Sequence, residues 1–171
     1  MPPVYNSLPV IIFFHIINTF KTVVKFTCFS TIIRTFAACF LKKSKVMKKV
    51  ISTAKAPSAI GPYSQAIDVN GFVYTSGQIP INPATGNMVE GGIKEQTRQS
   101  LLNVRAILEE AELTMAHVVK TTVFMADMND FADMNSVYAE FFAEPFPARS
   151  AVAVKSLPKG ALVEIEVIAT K

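Results

Sequence analysis

Between Phe146 and Ala169 the chain reads FPARSAVAVKSLPKGALVEIEVIA. In its second half Val163, Ile165 and Val167 alternate with Glu164 and Glu166. A period of two is that of a strand, with the aliphatic residues on one face and both carboxylates on the other. Such a strand needs partner strands beside it and an apolar layer against its aliphatic face. The run Ser150–Val154 is also β-prone, and Leu157-Pro158-Lys159-Gly160 reads as a short loop joining the two into a hairpin. Arg149 opens the first strand. An arginine stays charged at any working pH, so it does not move protons, but its planar fork fits a carboxylate. A site built here has Arg149 hold an acidic ligand while a glutamate handles protons or water. Taken alone, the same pattern also describes a structural ion pair and the wet face of a half-buried strand.

Upstream, the periodic elements begin after Met47. Lys48–Ser52 reads as a first strand. Ala56 to Pro62 is a loop, since two prolines and a glycine prevent regular pairing. Ala66–Val69 and Phe72–Ser76 are strands joined by Asn70-Gly71, a strong short hairpin signal. Gly77 to Gly92 is a long loop, of a length that often carries function. Ile93–Ala111 is the clearest helix, with Ile93, Leu101, Val104, Ile107, Leu108 and Ala111 on its apolar face. Val118–Met125 is a strand that places Val119, Thr121 and Val123 on one face. Asp130 caps a second helix, Phe131–Phe142, with Met134, Val137, Tyr138 and Phe141 as its buried stripe. This order predicts an α+β domain: a mixed sheet with two helices packed on one face. Its strands are too apolar to leave the other face wet, which implies self-association, most simply in a closed ring.

Composition changes sharply before Met47. Residues 1–46 contain no Asp, Glu or Gly but hold six basic residues, both cysteines (Cys28 and Cys39) and seven of the thirteen phenylalanines. Its apolar runs are too short or too interrupted by charge to span a bilayer, and no positive charge precedes the first as in a secretory signal. Two readings fit: an acid-free transit-type leader, or AT-rich upstream DNA translated from a start placed too early. The second is favoured, because Ile, Phe, Asn and Lys dominate; Met47-Lys48-Lys49-Val50 then reads as the true beginning. Either way 1–46 stands outside the fold of 47–171. A cytoplasmic location is expected, or a mitochondrial one if the leader is genuine.

Residues 47–171 hold eleven basic against thirteen acidic residues, a net −2, so the formal +4 of the whole chain belongs to its beginning. A body near neutrality has no electrostatic footprint for nucleic acid. It has no cysteine and a single histidine, His117, so thiolate zinc sites, thiol nucleophiles and His-based metal clusters have no residues to form from.

Several motifs then stand together: Gly61-Pro62-Tyr63-Ser64-Gln65-Ala66, Tyr74-Thr75-Ser76-Gly77-Gln78-Ile79-Pro80, Asn103-Val104, Lys120-Thr121-Thr122-Val123-Phe124, Phe131 to Phe142, Pro147-Ala148-Arg149-Ser150 and Leu162–Ala169. As a set, covering essentially all of 47–171, they resemble the RidA (YjgF-like) reactive intermediate deaminase family. The resemblance implies a chorismate-mutase-like fold and a homotrimer with sites in the clefts between subunits. It implies hydrolysis of enamines and imines: 2-iminopropanoate and 2-iminobutanoate become pyruvate and 2-oxobutanoate, with release of ammonia. By motif position, Arg149 would bind the α-carboxylate and Glu164 would activate water. Tyr63, Ser76, Gly77 and Asn135 would line the pocket. A protonated imine carbon is already electrophilic, so this chemistry calls for no metal or cofactor.

The resemblance is incomplete in two places. Many relatives have Cys two residues after the arginine; here it is Ala151, so no thiol is essential to this chain's activity. The loop before Pro147 is short, which bears on pocket shape. Two rival functions remain at this point. One is a ribonuclease or translation inhibitor, a label the family has carried. It meets a −2 body with no histidine pair and no aromatic platform flanked by basic residues. The other is a non-catalytic ligand-binding or chaperone-like trimer, which a carboxylate-binding arginine would serve equally well.

Overall fold

The computed structural model of the protein describes residues 47–171. The two readings of residues 1–46 fall outside the described residues. The elements run β1 (Lys48–Ile51), β2 (Ala66–Val69), β3 (Phe72–Thr75), α1 (Ile93–Glu110), β4 (Val118–Met125), α2 (Phe131–Tyr138), β5 (Ala148–Ala153) and β6 (Val163–Thr170). Val69 pairs with Phe72, so β2 and β3 are joined by two residues only, Asn70 at φ 53° and Gly71 at φ 83°. Two positive φ values in a two-residue loop make a type I′ turn, whose twist matches that of the strands.

The six strands form one sheet in the order β1-β2-β3-β6-β4-β5. Strands β3 and β4 both lie antiparallel to β6, so they are parallel to each other with β6 between them; α1 connects them. Strand β5 is parallel to β4, and α2 connects those two. The expected hairpin of the last two strands is therefore absent, because β4 sits between them. The connection from β5 to β6 is pinned to the end of β4 at both ends: Val154 N donates to Met125 O (2.9 Å) and Ala126 N donates to Leu162 O (2.9 Å). The physical reason is backbone satisfaction. Strand β4 has eight residues to match the eight of β6, whereas β5 has six. The longer ladder leaves fewer N–H and C=O groups of β6 unpaired.

One sheet face carries Val73, Val123, Met125, Val163, Ile165, Val167 and Ala169, all buried. Against it pack Leu101, Val104, Ile107 and Leu108 of α1 and Met134 and Tyr138 of α2. Each fully buried side chain of this size is worth roughly 1.5–3 kcal/mol. Three local expectations shift. The register slips between Val118 and Lys120, so Val119 turns outward at 44% exposure instead of joining Thr121 and Val123. Helix α2 ends at Tyr138 rather than Phe142, although Phe142 remains buried, its ring centroid 4.4 Å from that of Tyr138. Asp130 precedes α2 without capping it; instead the Asp127 carboxylate accepts from Asn129 N (2.8 Å) and closes the short turn before it.

Among the described residues no helix covers the opposite face. Phe72, Tyr74 and Val152 lie there with 44–46% of their surface exposed. Between them Phe124, Glu164, Glu166 and Ile168 are half-buried. Among the described residues no helix is long and apolar enough to cross a membrane.

Candidate active site

Strand register decides where each expected site residue points. Arg149 is paired with Thr121, and Thr121 with Val167, so Arg149 lies on the helix-covered face, at the β5 edge of the sheet. Helix α2 passes over it. Phe131, Asn135 and Tyr138 follow the i, i+4, i+7 spacing of one helical face, and all three meet the guanidinium. Its Nη1 donates to Asn135 Oδ1 (2.8 Å). Its central carbon stands 4.6 Å from the centroid of the Tyr138 ring and 5.4 Å from that of Phe131. Tyr138 is fixed in turn, its hydroxyl 2.9 Å from Thr121 Oγ1. A cavity of about 330 Å³ opens here, lined by Asn135, Tyr138, Ala139, Phe146, Pro147 and Arg149. Among the described residues no carboxylate pairs with Arg149, so it keeps donors for an acidic ligand.

Glu164 is paired with Phe124 and lies on the open face. Its side chain rests on Gly77: a Cβ at that position would stand 1.9 Å from Glu164 Oε1. Residue 77 must be glycine for the carboxylate to lie where it does. The contact is held by main chain, since Gln78 N donates to Ile165 O (2.8 Å) and Ile165 N donates to Gln78 O (3.1 Å). Burial is the larger cause, and the neighbouring Glu166 charge the smaller, that pushes the Glu164 carboxyl above its ordinary value of 4.5. A carboxyl raised in this way takes up a proton more readily than an exposed glutamate, which suits it to proton exchange with a substrate or water.

Gly77 also lines a second cavity, of about 260 Å³, with Tyr63, Ile60, Ile79, Ile81 and Lys159 on its wall. Two buried amides hold that wall. Gln65 donates from Nε2 to Thr53 O (3.0 Å), Ala56 O (3.2 Å) and Pro57 O (2.8 Å). Asn103 of α1 donates from Nδ2 to Ile79 O (3.2 Å) and Ile81 O (3.0 Å). Tyr63 is half-exposed, and its hydroxyl oxygen accepts from Ile60 N (3.4 Å). Ser76 stands beside Gly77, but its hydroxyl donates to Ser64 O (2.7 Å), and it lies outside the cavity wall.

The six expected residues thus fall into two groups. Tyr63 and Gly77 line one cavity, with Ser76 and Glu164 next to Gly77 but outside that lining, and Asn135 and Arg149 line the other. In a single chain Arg149 and Glu164 face opposite sides of the sheet with β4 between them. Sequence reasoning overlooked Phe131 and the ring of Tyr138 as supports of the arginine, and Gln65 and Asn103 as supports of the loops. The helical spacing of Phe131, Asn135 and Tyr138 was a usable signal; Gln65 and Asn103 stand within the family motifs, which gave no hint of what their amides hold. Among the described residues no group of three or more His, Cys, Asp or Glu side chains could hold a metal ion.

Comparison with known proteins places these motifs. The sequence model of the family described as Endoribonuclease L-PSP matches residues 53–171. A RutC family protein of Pyrococcus horikoshii is 58% identical over 125 residues, covering 73% of this chain and 99% of the relative. A Bos taurus protein named 2-iminobutanoate/2-iminopropanoate deaminase is 51% identical over 128 residues, covering 75% of this chain and 93% of the relative. The crystal structure of E. coli TdcF with bound serine superposes with a TM-score of 0.69 at 48% identity, covering 72% of this chain and 98% of that one. With its motifs and its glycine-backed glutamate lying inside the matched region, the chain belongs to the RidA (YjgF-like) family.

Proposed function

We propose that the protein hydrolyses 2-imino acids such as 2-iminopropanoate and 2-iminobutanoate to 2-oxo acids and ammonia, at sites completed between subunits of a homotrimer. The observation that carries this is the division of the site residues. The Arg149 group and the Glu164 group each have a cavity, and the register of β4 keeps them on opposite faces of one chain. A substrate that needs both is served by apposing one chain's helix-side edge to another chain's open face. The exposed Phe72, Tyr74 and Val152 give that face the apolar area for assembly. The name of the bovine relative and the serine held by TdcF agree with a small α-carboxylate substrate.

The chemistry follows from the groups. Arg149 binds the α-carboxylate through donors that Asn135 leaves free. The iminium carbon accepts the oxygen of a water whose proton passes to the Glu164 carboxylate, giving a carbinolamine. Glu164 returns that proton to the nitrogen. The C–N bond then breaks and ammonia leaves, while the hydroxyl gives its proton to Glu164 as the carbonyl forms; Glu164 passes that proton to the departing ammonia, which becomes ammonium. Iminium plus water thus balances against 2-oxo acid plus ammonium. General base assistance of this kind contributes about 10²–10⁴-fold. RNA cleavage has less to work with: the body of the chain is acidic on balance, and its one histidine has Nδ1 3.0 Å from Thr114 Oγ1.

The test couples the protein to a threonine dehydratase that supplies 2-iminobutanoate in situ, with 2-oxobutanoate and ammonia release followed together. Acceleration lost in both Arg149→Ala and Glu164→Gln is expected. No acceleration by the parent protein, or a monomer that is fully active in light scattering, refutes the reading.

A further inference from the structure

Among the described residues Arg149 is the one charged side chain on the wall of its cavity, and its support is aromatic rather than acidic. The Tyr138 ring lies 4.6 Å and the Phe131 ring 5.4 Å from the guanidinium carbon, both inside the range of cation–π attraction. Among the described residues only one nitrogen, Nη1, meets a protein acceptor, Asn135 Oδ1. An acidic support would occupy the N–H edge of the guanidinium, and that edge is what a carboxylate ligand requires. Aromatic faces attract the cation without consuming any N–H donor. Tyr138 is itself oriented by the strand pair that carries the arginine. Its hydroxyl meets Thr121 Oγ1, and Thr121 is the register partner of Arg149. Phe142 backs the same ring.

We infer that Tyr138, assisted by Phe131, is a positioning residue for carboxylate recognition: its ring holds the Arg149 fork in place with the free N–H edge available to the ligand. The inference rests on the reading of Arg149 as the carboxylate anchor. The ring does this work and the hydroxyl does not. The hydroxyl, buried beside Thr121, serves the fold, and burial keeps it neutral by raising its pKa. Sequence alone describes Tyr138 as a core residue of α2, and a core role makes a different prediction for the same substitutions.

The experiment compares Tyr138→Phe and Tyr138→Leu with the parent protein. It measures melting temperature, steady-state deamination, and the Kd of 2-oxobutanoate by calorimetry. Tyr138→Phe keeps the ring and is expected to melt lower while holding KM and Kd within twofold. Tyr138→Leu fills space without a π face. It is expected to raise KM and Kd about tenfold, with kcat falling less than threefold. In an Arg149→Lys background the Leu substitution is expected to add less than threefold, because the planar fork it serves is already gone. Parallel losses in both variants that track melting temperature, or a Tyr138→Leu protein that binds like the parent, overturn the positioning role alone. A parent that neither binds 2-oxobutanoate nor turns over the imine overturns the carboxylate-anchor reading, and this role with it.

Discussion

Gly77→Ala is the sharpest perturbation available, because it adds one carbon at the contact that seats Glu164. The new Cβ would stand 1.9 Å from Glu164 Oε1, 2.7 Å from Cδ and 2.9 Å from Cγ. Non-bonded carbon contacts are comfortable at about 3.5 Å, so the carboxylate must retreat by roughly 1.5 Å. The backbone at Gly77 is not in the left-handed region, and the displaced atoms are the end of a flexible side chain. The fold should therefore lose no more than about 1 kcal/mol, the order of an off-rotamer side chain. Catalysis should suffer more. A misplacement of about 1 Å in a reacting group can cost on the order of 10²-fold, close to 2.7 kcal/mol of activation free energy. The assay is dehydratase-coupled release of 2-oxobutanoate, with kcat and KM separated and oligomer size measured on the same preparation. Gly61→Ala is the control: its Cβ would meet Tyr63 Cδ1 at 3.5 Å and Cε1 at 3.6 Å, ordinary contacts, and activity within twofold is expected. A Gly77→Ala protein that assembles normally and stays within threefold of the parent would refute the assignment of Glu164 as the group that handles the water.

Four further outcomes can be checked. Arg149→Lys keeps the charge but loses the planar fork, and is expected to lower kcat/KM at least about tenfold, roughly 1.4 kcal/mol, without changing oligomer size; an unchanged kcat/KM would free Arg149 of its binding role. Glu164 titrates above its ordinary 4.5 through burial first and the Glu166 charge second, so Glu166→Gln should move the acid limb of the kcat/KM profile to lower pH. The sign for stability is opposite to that of a salt-bridged carboxylate. Ionised Glu164 penalises the folded state at neutral pH and not below about 4.5, so Glu164→Gln should raise the melting temperature at pH 7, lose that advantage in acid, and remain inactive. Asn103→Ala removes a donor from the buried carbonyl of Ile81 and one from that of Ile79, which keeps Ile81 N as a partner, and is expected to cost roughly 1–3 kcal/mol in denaturant unfolding; a loss under about 0.5 kcal/mol would mean the loop holds itself.

Local physics settled much of this protein within the sequence. Asn70-Gly71 dictated the turn between β2 and β3, because both residues accept positive φ. The alternation from Val163 to Val167 fixed which side chains of β6 are buried and left Glu164 and Glu166 on the other face, since a strand's period of two allows nothing else. The 3.6-residue spacing of α1 fixed its buried stripe. The motifs around Tyr63, Gly77, Arg149 and Glu164 pointed to the family, and the comparisons place the chain there. What local pattern could not carry was the pairing partner of each strand. The sequence joins β5 to β6 by a loop that reads as a hairpin, yet β4, far away in the chain, lies between them. Backbone hydrogen bonds are the same for every residue type, so partner choice depends on matched length and shared core rather than on side-chain identity at the turn. That choice decided the site. By placing Thr121 against Arg149 and Phe124 against Glu164, β4 turned the two principal residues to opposite faces of the sheet. The aromatic support of Arg149 and the seat of Glu164 on Gly77 likewise exist only once distant segments are packed together.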